Sequence, residues 1–178
     1  MADSDDTTEL TLLLAEYSQI KDEQRARIGF RDNLLYVTIG AVTAVTAVAL
    51  QTSHPDLALA LPVVCVVLGW TYLVNDEKIS AIGRYIRTEL ASRLSTLSGP
   101  AAASAFGWET YHRGDSRRAS RKITQAVVDL TAFVAVPFAA LTVFWLYGTA
   151  SALLISSSIL EAVMLAVLGG QFLWYAER

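Results

Sequence analysis

The chain has 178 residues, 53% of them apolar and 17% charged, with a mean hydropathy of +0.41. An ordinary soluble domain of this length is less hydrophobic, and it is too small to wrap several helices that are apolar all round. The net charge of −3 conceals a segregation of sign, acidic over residues 1–9 and basic over residues 113–122, and no nucleic-acid partner is expected.

Asp6-Thr7-Thr8-Glu9 has the form of a helix start, with Asp6 as cap and Glu9 three residues on. Leu10, Leu13, Leu14, Tyr17, Ile20 and Ile28 then recur at helical spacing, which predicts an amphipathic helix over residues 1–32. The chain starts without a positive segment leading into a short apolar one. Insertion into a membrane is therefore expected to rely on the first long apolar run rather than on a cleaved signal.

Four such runs follow, over residues 34–50, 57–74, 126–147 and 150–175. A hydrocarbon core of ~30 Å takes about 20 helical residues, so each run is near spanning length. None of the 14 Lys and Arg residues lies inside a run. Lys21, Arg25, Arg27 and Arg31 precede the first, Lys78 to Lys122 lie between the second and third, and Arg178 follows the last. The connections 51–56 and 148–149 carry none. Cytoplasmic segments are enriched in Lys and Arg, so both ends and the middle segment are expected inside the cell and the two short connections outside. His54-Pro55 marks the first external turn, since proline cannot continue the preceding helix.

The expected fold is all-α: a multi-pass membrane protein with four transmembrane helices arranged as two hairpins, and amphipathic cytoplasmic helices attached. Its segments are a cytoplasmic helix (1–32), a first hairpin (33–75), a cytoplasmic helix with an aromatic and basic loop (76–123), and a second hairpin (124–178). No repeat relates the hairpins, which disfavours a transporter built from inverted repeats. Cys65 is the single cysteine; no intrachain disulfide is possible, and it reads as a small packing residue.

Past the second run the sequence continues Asn75-Asp76-Glu77-Lys78-Ile79-Ser80-Ala81-Ile82-Gly83-Arg84-Tyr85-Ile86-Arg87. Ile79, Ile82, Ile86, Leu90 and Leu94 keep helical spacing up to Ser98-Gly99-Pro100. Then come residues 101–105, small and without a stripe, and Phe106-Gly107-Trp108-Glu109-Thr110-Tyr111-His112. Asn-Asp at the end of a span, then Ile-x-x-Ile-Gly-x-Tyr-Ile-Arg and a later Gly-Trp-Glu, resembles a pattern in small bacterial integral membrane proteins of unassigned activity. The resemblance covers residues 10–112. It implies a bacterial source and supports the topology, but adds no chemistry.

Read physically, Gly83 inside a helix costs about 1 kcal/mol relative to alanine, so another helix is expected close by, the 10–28 helix first. Asn75, Asp76, Arg84, Tyr85, Arg87, Trp108 and Glu109 form a candidate partner surface. Arg117, Arg118, Arg121 and Lys122 suit anionic lipid headgroups, worth about 1 kcal/mol per charge near the surface.

Glu161 is the most informative position. It stands about ten residues into the last span, where an ionised carboxylate is expensive, and is expected to be protonated. Ser157 and Ser158, one turn earlier, are expected to share its hydrogen bonds. Ser158, Ala162, Ala166 and Gly170 recur every four residues and permit close helix contact. The alternatives for Glu161 are interhelical glue, or a ring of carboxyls in an oligomeric pore or proton pathway. Asp129, with Gln125 one turn before it, is expected near the cytoplasmic surface, about 12 Å in depth from Glu161. Pro137 is expected to kink the third span at the level of Glu161, and Pro62 to do the same in the second.

His54 and His112 fall on opposite sides of the membrane, and no metal-ligand spacing or phosphate-binding loop occurs; no cofactor and no enzyme activity are expected. The reading is a homo-oligomeric module of a bacterial cytoplasmic membrane, structural or responsive to a signal. An ion or proton conduit centred on Glu161 is the first alternative, and a binding module or enzyme using the 107–112 loop the second.

Overall fold

The computed structural model describes residues 2–99, 117–149 and 151–176, and among them every regular element is helical. Helix α1 runs unbroken over Ala2–Thr52. A 3-10 turn over Pro55–Leu59 leads into α2, Ala60–Tyr85. A π-helical turn, Ile86–Leu90, joins α2 to α3, Ala91–Ser98. Helix α4 covers Arg118–Leu130, a second π turn Thr131–Ala135, α5 Val136–Tyr147 and α6 Ala152–Ala176. Four helical stretches are long and apolar enough to cross a membrane: Asp6–Thr52, Pro55–Ser98, Ser120–Tyr147 and Ala152–Tyr175.

Local chemistry explains most boundaries. Ser53 takes a positive φ of 54° just after α1, and Pro55 starts the next turn. Gly99, at φ +72°, ends α3 where a side chain would be strained. The first helix begins at Ala2, before the expected cap at Asp6, which lies within it. Carboxylates early in a helix suit the positive end of its dipole, so Asp6 fits there without capping.

The chain divides into two compact units: Met1–Phe30 with Asn75–Ala119, and Arg31–Val74 with Ser120–Arg178. In the first, Leu13, Ile86, Leu90 and Leu94 form a buried cluster, joined by Leu10, Tyr17, Ile20 and Ile82. Both sequence stripes therefore meet. Leu14 and Ile28 lie off the packed face, at 50% and 37% exposure. Leu14 follows Leu13 directly and so points about 100° around the helix from it, and a spacing other than 3.6 drifts around a long helix, which carries Ile28 off the seam.

In the second unit, α2 contributes to every cluster. Tyr72 and Leu73 pack with Leu34, Phe133, Leu168 and Phe172. Leu59 packs with Leu141, Phe144 and Leu165, and Ala58 and Leu61 with Ala140. Half of the second span's apolar window is buried (50%), against 11% of the first span's. The outer surface of the first span is thus left for lipid or another protein.

Two contacts fix how α5 and α6 pass each other. Trp145 Nε1 donates to Ser158 Oγ at 2.9 Å, and Gly169 lies against Val134 beyond the other end of the pair. Glu161 is therefore level with residue 142, not with Pro137, which corrects the expected coincidence. The proline acts elsewhere. Lacking an N–H, Pro137 follows directly on the π turn, in which the Val136 N–H reaches back to the Thr131 carbonyl. Pro62 is third in α2, where first-turn N–H groups have no partner within the helix, so it breaks nothing.

Candidate functional site

Glu161 faces inward. It is 8% exposed, and its Oε2 is buried with no hydrogen-bond partner. Ala162 and Leu165, beside it on α6, belong to an apolar cluster with Leu141 and Phe144 of α5 and Leu59 ahead of α2. The serines do not help it, contrary to expectation. Ser158 donates to the Ile155 carbonyl at 2.8 Å and Ser157 to that of Leu154 at 2.9 Å. A helical serine hydroxyl reaches its own preceding turn more easily than a side chain one turn on, and its single proton is then used. Ser158 is left with an acceptor, which the Trp145 indole takes.

In this fold Glu161 forms no interhelical hydrogen bond, and its carboxyl points into its own chain.

The expected small-residue stripe splits. Ser158 is fully buried and Ala162 packs on the core, whereas Ala166 and Gly170 are exposed, with open space beside Gly170. The face that α6 buries within the chain is instead Ser158, Glu161, Leu165, Leu168, Gly169 and Phe172.

Asp129 is 6% exposed at the far end of the same unit. Gln125 Nε2 donates to Asp129 Oδ1 at 2.8 Å and to the Tyr72 hydroxyl at 2.7 Å. This seam ends on three aromatic rings: Phe133 lies 5.1 Å from Tyr72 and 5.8 Å from Phe172, centroid to centroid. With the register above, Asp129 and Glu161 differ in depth by about 20 Å rather than 12 Å, so they remain unconnected. The Gln125–Asp129 spacing was legible as one helical turn. Tyr72 was not, because nothing in its own segment names a partner 53 residues away.

Within the other unit, polar pairs line the seam between α1 and the helix after the second span. Asn75 is 5% exposed; its Nδ2 donates to the Arg27 carbonyl at 2.6 Å, and Arg27 Nη1 donates back to Asn75 Oδ1 at 3.3 Å. Tyr85 donates its hydroxyl to Glu16 at 2.6 Å, which holds the phenol above the usual tyrosine range, with burial adding to the effect. Arg87 donates to the Gly83 carbonyl at 2.9 Å. Gly83 is buried, Asp76 half-buried and Arg84 exposed. Of the expected partner surface, then, Asn75 and Tyr85 are committed inside the chain. A buried amide must find partners, and the neighbouring helix supplies them. Trp108 and Glu109, with the whole 107–112 loop, lie outside the described residues, as does the side chain of Arg118. Arg117, Arg121 and Lys122 are exposed.

One further contact joins the two short connections. Asp56 accepts from the Thr149 N–H at 2.6 Å and from the Thr149 hydroxyl at 2.7 Å. The N–H first, then the hydroxyl, hold this carboxyl below its ordinary value of 3.8. A carboxylate lowered in the fold contributes stability above its unfolded value, and that contribution is lost as pH falls through the folded one. We expect Thr149→Val to increase protease nicking of residues 148–151 at neutral pH. The parent protein and the variant should converge at acid pH, once Asp56 is protonated in both. Equal nicking of both at neutral pH would refute the clamp.

No family model matches the chain, and no curated protein or solved structure matches it either.

Proposed function

We propose that this protein is a homo-oligomeric module of a bacterial cytoplasmic membrane, crossing it four times as two hairpins with both ends inside. Its charged unit is the cytoplasmic, signal-receiving part. The observation that carries this reading is the partition of the chain into one unit rich in charge and another made of the apolar spans. The charged unit contains ten of the 14 Lys and Arg residues: Lys21, Arg25, Arg27, Lys78, Arg84, Arg87, Arg93, Arg113, Arg117 and Arg118. It is laced across its helices by Asn75–Arg27, Tyr85–Glu16 and Arg93–Glu9. A packed pair of amphipathic helices, continuous with two spans, is a means of passing a displacement into the membrane.

Oligomerisation draws support from the outer faces. The first span buries little of its apolar surface within the chain, and Ala166 and Gly170 leave a shallow, open strip on α6. Small residues allow helix backbones to approach, which is how helices associate in lipid. Arg117, Arg121 and Lys122 complete the reading as contacts for anionic headgroups. The reading includes no catalysis and no cofactor.

Ala166→Leu should reduce the oligomer to smaller species on sizing in mild detergent, while Val163→Leu, on an exposed neighbouring position, should not. An unchanged oligomer in Ala166→Leu would remove that interface. A tag at either end that reacts with an impermeant reagent on intact cells would overturn the orientation.

A further inference from the structure

Glu161 has no structural use in the fold. Its Oε2 makes no hydrogen bond, it is 8% exposed, and Ala162 and Leu165 beside it on α6 belong to the apolar cluster of Leu59, Leu141 and Phe144. An unsatisfied buried polar group destabilises a fold, so its presence calls for another explanation. Burial within the chain also rules out the carboxyl simply facing lipid.

Nothing nearby neutralises a carboxylate. Between residues 34 and 74 the only basic side chain is His54, in the first connection, and between residues 123 and 175 there is none. Over residues 34–74 and 123–147, the apolar stretches that pack with α6, the other titratable groups are Tyr36, Asp56, Cys65, Tyr72, Tyr147 and, about 20 Å away, Asp129. None of these is a cation. Glu161 must therefore hold a proton or import a positive ion.

Ligand chemistry separates these. A bare metal ion needs several oxygens. Of the hydroxyls nearest in level, Thr142 is exposed and Ser158 already accepts from Trp145, which leaves Ser157, and the carbonyls freed by Pro137 lie almost three helical turns away. One carboxylate oxygen is enough for a proton.

We propose that Glu161 is an intramembrane proton-binding site whose occupancy sets the packing of α6 against α5 and α2. With the proton bound, the carboxyl is neutral and the closed core is stable. Loss of the proton creates a carboxylate that only water can solvate, so the helices must part to admit it. The chain supplies its own reporter. Cys65 of α2 is fully buried, is next in sequence to Val66 of this cluster, and is the only cysteine.

The test uses the full-length protein in lipid nanodiscs. Infrared difference spectra of protein carrying 13C-glutamate are recorded over a pH series, with Glu161→Gln to assign the band. The expected result is a protonated carboxyl at neutral pH that is lost at higher pH and is absent from the variant. In parallel, Cys65 is labelled with a membrane-permeant maleimide. The ratio of parent to variant rate at each pH cancels the ionisation of the thiol itself. Coupling to one proton should raise that ratio by up to about tenfold per pH unit through the titration.

A flat ratio overturns the proposal, as does a carboxyl already ionised at neutral pH. A carboxyl that ionises only when sodium is supplied overturns it in favour of a metal-ion site. Should the glutamine variant fail to fold, the infrared titration of the parent alone still decides whether Glu161 carries the proton.

Discussion

Replacing Phe133 by alanine is expected to be the most damaging single change in the membrane-spanning unit, costing about 3 kcal/mol. The ring is fully buried between Tyr72 and Phe172, and it sits in the middle of the π turn. Its removal leaves a cavity that the neighbours cannot fill. Gly69 of α2 lies so near that a Cβ added there would stand 3.0 Å from Phe133 and 2.9 Å from Leu168. At Gly69, therefore, α2 presents no side chain with which to close the gap. The figure sits at the low end for a phenylalanine because lipid, unlike water, gives little hydrophobic drive to helix association, and the loss is mainly of packing. Equilibrium unfolding in mixed detergent micelles measures it. A loss below about 1 kcal/mol would show that this cluster relaxes and does not hold the spans in register.

Asn75→Leu is expected to have the largest effect on the charged unit, about 2 kcal/mol. Leucine is close in volume, so little packing is lost, but the Arg27 carbonyl gives up its 2.6 Å partner and the guanidinium its 3.3 Å one. Glu23 still holds the guanidinium one turn away on α1 at 2.6 Å, so the charge itself is not stranded. The expected signature is faster proteolysis within residues 2–30 and 75–99 with the apolar spans still protected. Equal sensitivity of the parent and Asn75→Leu would mean that the apolar cluster of Leu13, Ile86, Leu90 and Leu94 holds this unit unaided.

The candidate site was legible only in part. The position of Glu161 in an apolar run marks it in the sequence, since few such runs carry a carboxyl. Its isolation does not show there, because the spacing of Ser157 and Ser158 suggests bonds that the helix backbone takes for itself. Similarly, Asn75 at the end of a span reads as a surface residue until the partner helix that covers it is in place. The π turns were invisible for a further reason: an extra residue in a helical turn leaves composition and hydropathy unchanged.

What the residues by themselves determined is which stretches are apolar enough to cross a bilayer and where they are interrupted. Those properties follow from length, hydropathy and proline or glycine at the ends, all of them local. The tertiary structure alone decided which faces meet. Helix pairing depends on the register of side chains far apart in the chain, and it is register that sets Glu161 opposite residue 142, closes Tyr72 over Gln125, and ties Asp56 to Thr149.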